Sequence, residues 1–506
     1  MKRNGLSPLH LLLLIVILIL INIIGMNWFT RIDLTEDRVY SLSRASIDLV
    51  RNLEDPVTIR AYFTAQLPPP YSSYRRFVKD KLDEYRAYGG VNIQYEFIDP
   101  NQDEQARQEA ERLGIPPVQI QVIENDNLQI KNVYMGLSIE YGGEREIIPV
   151  IEDLSTLEYD ITSALFKLTR DRLPTVGILQ GHGEPVPDQA FPRFKQALTR
   201  NYDVQTVRIE NGALQPQPDV LFVIAPTDSF PEADLQALDT YITHNGKVAF
   251  LLNRVHANLQ VGWATLQTTG LEPLLAHYGA TVQPDLVMDR HSSVVSVQRM
   301  QGPFRIVQQI PYPFLPIATI FNLEHPMVNR LREVLFYFVS SIDTSQPPPT
   351  GVTREPLIWS SPYSQVQEEP FFIQPQMFRQ ELTFDKGPYV LAAALQGAVP
   401  SYFDSTRVAS SARLVVVGDG DFINESIVGA LDGNIEFGLN MADWLAQDEG
   451  LLAIRTKKIA PRQLEPIDDR LKPVIKYTLM LFPPLLVILV GLVRWRFRRN
   501  RKTVLA

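Results

Sequence analysis

Two short glycine-flanked motifs hold the residues whose types and spacing could do chemistry. Gly181-His182-Gly183-Glu184 follows the apolar run Thr175 to Gln180, and Gly418-Asp419-Gly420-Asp421 follows Arg413 to Val417. In the first, an imidazole and a carboxylate two residues apart are the parts of a general acid/base pair or two metal ligands. In the second, two carboxylates offer hard oxygens to a divalent cation, although the further acids of an EF-hand loop are missing. Neither motif has a third ligand or a nucleophile beside it. The favoured reading of both is therefore a strand-to-helix turn, with His182 and Glu184 capping one helix and Asp421 or Asn424 capping the other. No catalytic residue and no metal ligand is assigned. Gly181, His182, Gly183, Glu184, Asp419 and Asp421 remain candidate ligand-binding residues, because open α/β sheets take their ligands at strand C-termini.

Several chemistries are excluded by residue type alone. The 506 residues include no cysteine, which removes disulfides, thiolate nucleophiles, thiol redox chemistry and cysteine-based zinc sites. No G-x-x-x-x-G-K-[ST] occurs, so ATP used by a complex containing this chain must be hydrolysed by another subunit. No cofactor motif is present.

The elements that must position the two motifs form an α/β pattern. TVGILQ, PDVLFVIAP and KVAFLLN are continuous apolar runs separated by helical signals, and such strands belong to a parallel sheet covered on both faces. The helix after the second run is punctuated by Ser229 and Pro231 at its start and Asn245-Gly246 at its end, with Leu235, Leu238 and Ile242 on one face. From about His291 to Lys386 the pattern gives way to proline-rich, β-like stretches, read as an insertion or small β-rich subdomain. It resumes with YVLAAALQG and RLVVVGDGDFI, then a helix whose Phe437, Met441, Trp444 and Leu445 share a face. The strand order resembles the flavodoxin-like and class I glutamine amidotransferase-like folds. An amidotransferase needs a cysteine on the turn after its strand, and this chain has none.

Upstream, Val57 to Phe63 and Val91 to Asp99 read as strands, Tyr74 to Tyr85 and Asp103 to Leu113 as helices, and a strand pair turning at Gly142-Gly143 leads to a helix from Thr156 to Leu168. That order resembles a thioredoxin-like domain. In that fold a cis proline precedes the third strand, a place that Pro116 or Pro117 would hold. The segment after the first strand, TAQLPPPYSSY, has no cysteine, so the resemblance implies a redox-dead scaffold.

Both ends are apolar with basic outer tips: Leu9 to Met26 behind Lys2 and Arg3, and Pro473 to Val493 ahead of Arg494, Arg496, Arg498, Arg499, Arg501 and Lys502. A bilayer-crossing helix needs roughly 20 apolar residues, and basic flanks stay in the cytoplasm. The expectation is a transmembrane helix at each end, both termini cytoplasmic, and the bulk on the far side of a bacterial inner membrane. Setting those eight basic residues aside leaves 40 Lys and Arg against 57 Asp and Glu, a formal charge of −17. An acidic body of this kind argues against nucleic acid as a partner. The expected segments are 1–27, cytoplasmic start and first span; 28–171, thioredoxin-like; 172–458, parallel-sheet domain with its insertion at 291–386; 459–472, juxtamembrane; 473–493, second span; and 494–506, basic tail.

Four pieces in order carry a further resemblance: RIDLTEDRVYSLSRAS, ILQGHGE, LVVVGDGDFI and LNMADWLAQDEGLLAIRTKK. The chain is similar to the gliding-motility-associated, GldG-like auxiliary components of bacterial ABC transport systems. The resemblance implies a non-enzymatic accessory subunit with a large periplasmic domain, paired with a separate ABC permease and a cytoplasmic ATPase. A cell-envelope protein or glycan is its expected ligand class. The alternatives are a periplasmic hydrolase using residues at strand ends and a cell-envelope scaffold.

Overall fold

The computed structural model describes residues 41–124, 127–170, 172–301, 304–329, 331–375, 384–429, 431–446 and 491. The apolar segments 9–26 and 473–493 lie outside them, apart from Gly491. Among the described residues no helix is long and apolar enough to cross a membrane.

The N-terminal layer is a four-stranded sheet. Strand β1 (Val57–Phe63) is flanked by parallel β2 (Ile93–Ile98) and antiparallel β3 (Met135–Tyr141), and β3 carries antiparallel β4 (Glu144–Ile148). The sheet order is β2-β1-β3-β4. Val57, Ile59 and Ala61 of β1 are fully buried against Val78, Leu82 and Tyr85 of the helix Tyr74–Gly89 and against Leu157, Ile161 and Leu165 of the helix Leu157–Thr169. The spacing of three and four that predicts these helices also gathers their apolar side chains on one stripe. A further helix, Arg44–Arg51, starts at Ser43, whose side chain accepts from the Ser46 N–H. Its Val50 joins the same core.

The expected cis proline is not where sequence reasoning put it. The cis bonds among the described residues precede Pro70, Pro216, Pro370 and Pro388, and Pro116 and Pro117 are not among them. The cause is an extra hairpin. Val118–Glu124, which the prolines introduce, pairs with Asn127–Val133 as a separate two-stranded ribbon. The strand beside β1 is β3, entered through Tyr134 rather than a proline.

The second layer is a nine-stranded mixed sheet. Five parallel strands form its centre: β5 (Thr175–Leu179), β6 (Asp203–Glu210), β8 (Val220–Ile224), β9 (Lys247–Leu251) and β13 (Ala412–Val417), with the short β7 (Ala213–Gln215) antiparallel beside β6. The other edge adds β10 (Ile320–Phe321), β11 (Val352–Trp359) and β12 (Val390–Gly397), each pair antiparallel. The full order is β10-β11-β12-β13-β9-β8-β5-β6-β7. Two expectations are corrected here. The sheet is parallel only in its centre, and β12 runs against β13. The stretch 291–386, expected as an insertion or small β-rich subdomain, is β-rich with small sheets of its own, but it is not wholly separate, because β10 and β11 extend the main sheet by backbone pairing.

The continuous apolar runs follow from burial on both faces. Val220, Phe222 and Ile224 enter one core, beneath Phe194 and the helix Asp432–Leu445, while Leu221 and Val223 enter the other, beneath the helices Glu232–Thr243 and Leu271–Tyr278. Alternate side chains of a strand point to opposite faces, so a strand covered twice has no polar face.

Candidate functional site

Among the parallel strands the order β6-β5-β8-β9-β13 has one reversal of direction, between β5 and β8. Open α/β sheets have their ligand crevices at such a point, beyond the strand C-termini. The Gly181–Glu184 loop leaves β5 at this point, and Ala225 to Asp228 leave β8. The two loops are bonded together: the His182 carbonyl accepts from the N–H groups of Thr227 (3.0 Å) and Asp228 (2.9 Å). Gly183 has φ +77°, and a Cβ there would come within 2.0 Å of Thr227 Oγ1, so this turn requires glycine.

His182 is 6 % exposed and Glu184 8 %. The imidazole lies flat on Phe230, ring centroids 3.8 Å apart and planes 8° from parallel. Its Nε2 is 2.9 Å from Asp234 Oδ2, in the first turn of the helix Glu232–Thr243. Its Nδ1 faces Glu184 Oε1 at 3.5 Å, beyond hydrogen-bond length, and both atoms are sealed from solvent without another partner. Burial alone would lower the imidazole, but the Glu184 and Asp234 carboxylates outweigh it and hold the ring above the usual histidine range. Burial would likewise raise Glu184, yet the His182 ring and the loop's backbone N–H groups hold its carboxyl below the usual range. Glu184 Oε2 accepts from the N–H of Gly181 (2.9 Å) and of His182 (2.7 Å). The loop's donors, of the kind that bind ligand anions elsewhere, are filled by the protein's own carboxylate.

The second motif is a different piece of construction. Asp419 is fully buried; its Oδ1 accepts from the N–H of Asp421 (2.7 Å) and Phe422 (3.2 Å), and its Oδ2 accepts from the N–H of Tyr337 (2.6 Å). Burial, with the nearby Asp421 charge, pushes its carboxyl well up against the pull of those three donors. Asp421 is partly exposed and accepts from Asn253 Nδ2 (2.8 Å), while Asn253 Oδ1 accepts from the Gly420 N–H (2.7 Å). Burial raises this carboxyl as well. The cap of the short helix Glu425–Val428 is Asn424. Gly418 runs against the backbone of Ser340, whose carbonyl oxygen lies 2.0 Å from the position a Cβ would take.

The two motifs do not converge. Their strands, β5 and β13, stand three inter-strand spacings apart, roughly 14 Å. Sequence reasoning named Gly181, His182, Gly183, Glu184, Asp419 and Asp421 as candidates and did not single out Asp234, Phe230 and Asn253, which the structure places against them. Asp234 was visible only as an acid in the first turn of a well-marked helix. Among the described residues, no group of three or more His, Cys, Asp or Glu is arranged to hold a metal ion.

Comparison with known proteins adds the following. A curated protein of Borreliella burgdorferi described as an uncharacterized protein is 23 % identical over 525 residues, covering 99 % of each chain. Two solved structures are similar at a low level: the mmIFT52 N-terminal domain (12 % identity, TM-score 0.34, 57 % of this chain and 100 % of that one) and a ThuA-like protein from Parabacteroides merdae (11 %, TM-score 0.29, 58 % and 94 %). Residues 36–140 match a domain of unknown function. Residues 173–445, more than half of the chain and nearly all of the second layer, match the family described as an ABC-type uncharacterized transport system. The chain belongs to this family of ABC transport auxiliary components.

Proposed function

We propose that the protein is a non-catalytic, membrane-anchored accessory subunit of a bacterial ABC transporter, working with a separate permease and a cytoplasmic ATPase. Its acidic body stands on the periplasmic side, held by an apolar helix at each end. The thioredoxin-like layer serves as a redox-dead scaffold, and the flavodoxin-like layer carries the surface that meets partners. The observation that carries this reading is the state of the switch point in a family of transport auxiliary components. The donors that would hold a ligand anion are occupied by Glu184, and the His182 ring is enclosed by Phe230, Asp234 and Glu184. The absence of cysteine and of a phosphate-binding P-loop agrees with ATP hydrolysis in a partner.

The reading is tested by purifying the native chain in a mild detergent. The expected result is stoichiometric recovery of a multi-spanning permease and an ATPase; repeated isolation of this chain alone would count against it. A hydrolase is the second reading, favoured by the 2.9 Å His182–Asp234 contact. Against it, among the described residues the ring nitrogens face carboxylates and no side-chain hydroxyl is hydrogen-bonded to them.

A further inference from the structure

We propose that the Gly181–Glu184 loop is a proton-operated clamp across the switch point, closed while the His182 ring carries a proton on both nitrogens and released when it loses one. The geometry favours two N–H groups, one bonded to Asp234 and one facing Glu184 across a longer gap. Nε2 meets Asp234 Oδ2 at 2.9 Å and Nδ1 meets Glu184 Oε1 at 3.5 Å, so a carboxylate oxygen stands before each ring nitrogen. A neutral imidazole has one N–H and one lone pair, and only the imidazolium presents a donor to both sides. In a neutral ring, one lone pair would face a carboxylate oxygen. On the Glu184 side both atoms are shut away from water, so no solvent would relieve that opposition.

The groups around the ring act in the same sense. From its own loop comes Glu184. From the segment leaving β8, Asp228 lies beside Gly183 rather than against the ring. From the helix Glu232–Thr243 comes Asp234. Both groups that meet the ring nitrogens are acids, and the stacked face of Phe230 adds a surface that also favours a cation.

The clamp joins three parts of the chain. The ring ties the loop to the helix, the His182 carbonyl ties it to Thr227 and Asp228, and Glu184 folds back on the Gly181 and His182 N–H groups. Loss of one proton removes the cation that holds Glu184 and Asp234 together, and the loop's donors become free to exchange.

The sign follows from the direction of the ring's displacement. Because the folded state holds the imidazole above its ordinary value, the clamp is fully engaged below the unfolded value and is lost as pH rises through the folded one. The test is hydrogen exchange by mass spectrometry on the full-length protein over a pH series, with intrinsic exchange rates divided out. Peptides spanning 180–186 and 226–232 are expected to lose protection several-fold on the alkaline side, while peptides from β8 and β9 hold theirs. His182→Gln should abolish the step, and Asp234→Asn should move it to lower pH. A flat wild-type profile, a step that survives in His182→Gln, or a step that Asp234→Asn leaves in place would overturn the proposal. If His182→Gln does not fold, the wild-type profile and Asp234→Asn decide it.

Discussion

At the scale of single residues, two aspartates that look alike in the sequence have opposite tolerances. Asp419 uses both oxygens to accept from three backbone N–H groups, linking its own turn to the segment at Tyr337. An amide has only one acceptor oxygen, so Asp419→Asn must turn an NH2 toward a buried backbone N–H. The expected cost is about 1–3 kcal/mol, read as a lower midpoint in denaturant unfolding. Asp421 is partly exposed and accepts from Asn253 Nδ2 at 2.8 Å. Asp421→Asn keeps one oxygen for that bond and is expected to shift stability by less than about 0.5 kcal/mol, the range of ordinary surface changes. Equal losses for the two variants would refute this division. The contrast was invisible in the sequence. Asp419 and Asp421 differ by the distant segments that reach them, Tyr337 lying 82 residues away and Asn253 168. The same holds for His182, whose ring partner Asp234 lies 52 residues on.

At the scale of elements, the legible parts are those whose signal lies within one segment. The helix Glu232–Thr243 has its acids in the first turn, Pro231 before it and Asn245-Gly246 after it, so its limits can be read locally. Four of the five central strands, β5, β8, β9 and β13, were legible as apolar runs because burial on both faces leaves them no polar alternation, whereas β6, DVQTVRIE, is largely polar and was not read as a strand. Pairing was not legible. β11 joins β12 through a register fixed only when residues 352 and 397 meet, and a strand interrupted by Pro356 gives no local sign that it will extend a parallel sheet. The hairpin 118–133 was missed for a related reason: its second arm, NLQIKNV, has a polar residue at four of seven positions. The central strands also set where stability is concentrated. Phe250 of β9 is fully buried in the sheet's second core. Phe250→Ala is expected to cost about 3–5 kcal/mol in thermal or denaturant unfolding. Trp263→Ala, at a side chain 46 % exposed, should cost far less. A small loss at Phe250 would mean that the strand is not enclosed as described.

At the scale of the whole molecule, the proposed topology turns on a charge contrast and can be tested because the chain has no cysteine. The six basic residues after Val493 contrast with the rest of the chain, whose formal charge is −17 once the two end clusters are set aside. Moving the basic tail across the membrane would carry positive charge toward the outside, against the bias that sets orientation. A single cysteine introduced anywhere is the only thiol in the protein, so labelling reports its side of the membrane without background. Val91 and Leu323 are suitable positions, 86 % and 74 % exposed and therefore tolerant of substitution. Val91→Cys falls in the first layer and Leu323→Cys beside the edge of the second, so the pair samples both. With a membrane-impermeant maleimide on intact spheroplasts, both are expected to react fully, while Thr503→Cys in the basic tail reacts only after lysis. Protection of Val91→Cys and Leu323→Cys, with labelling of Thr503→Cys, would invert the topology. The accessory subunit would then have to meet its transporter from the cytoplasmic side, where the ATPase works.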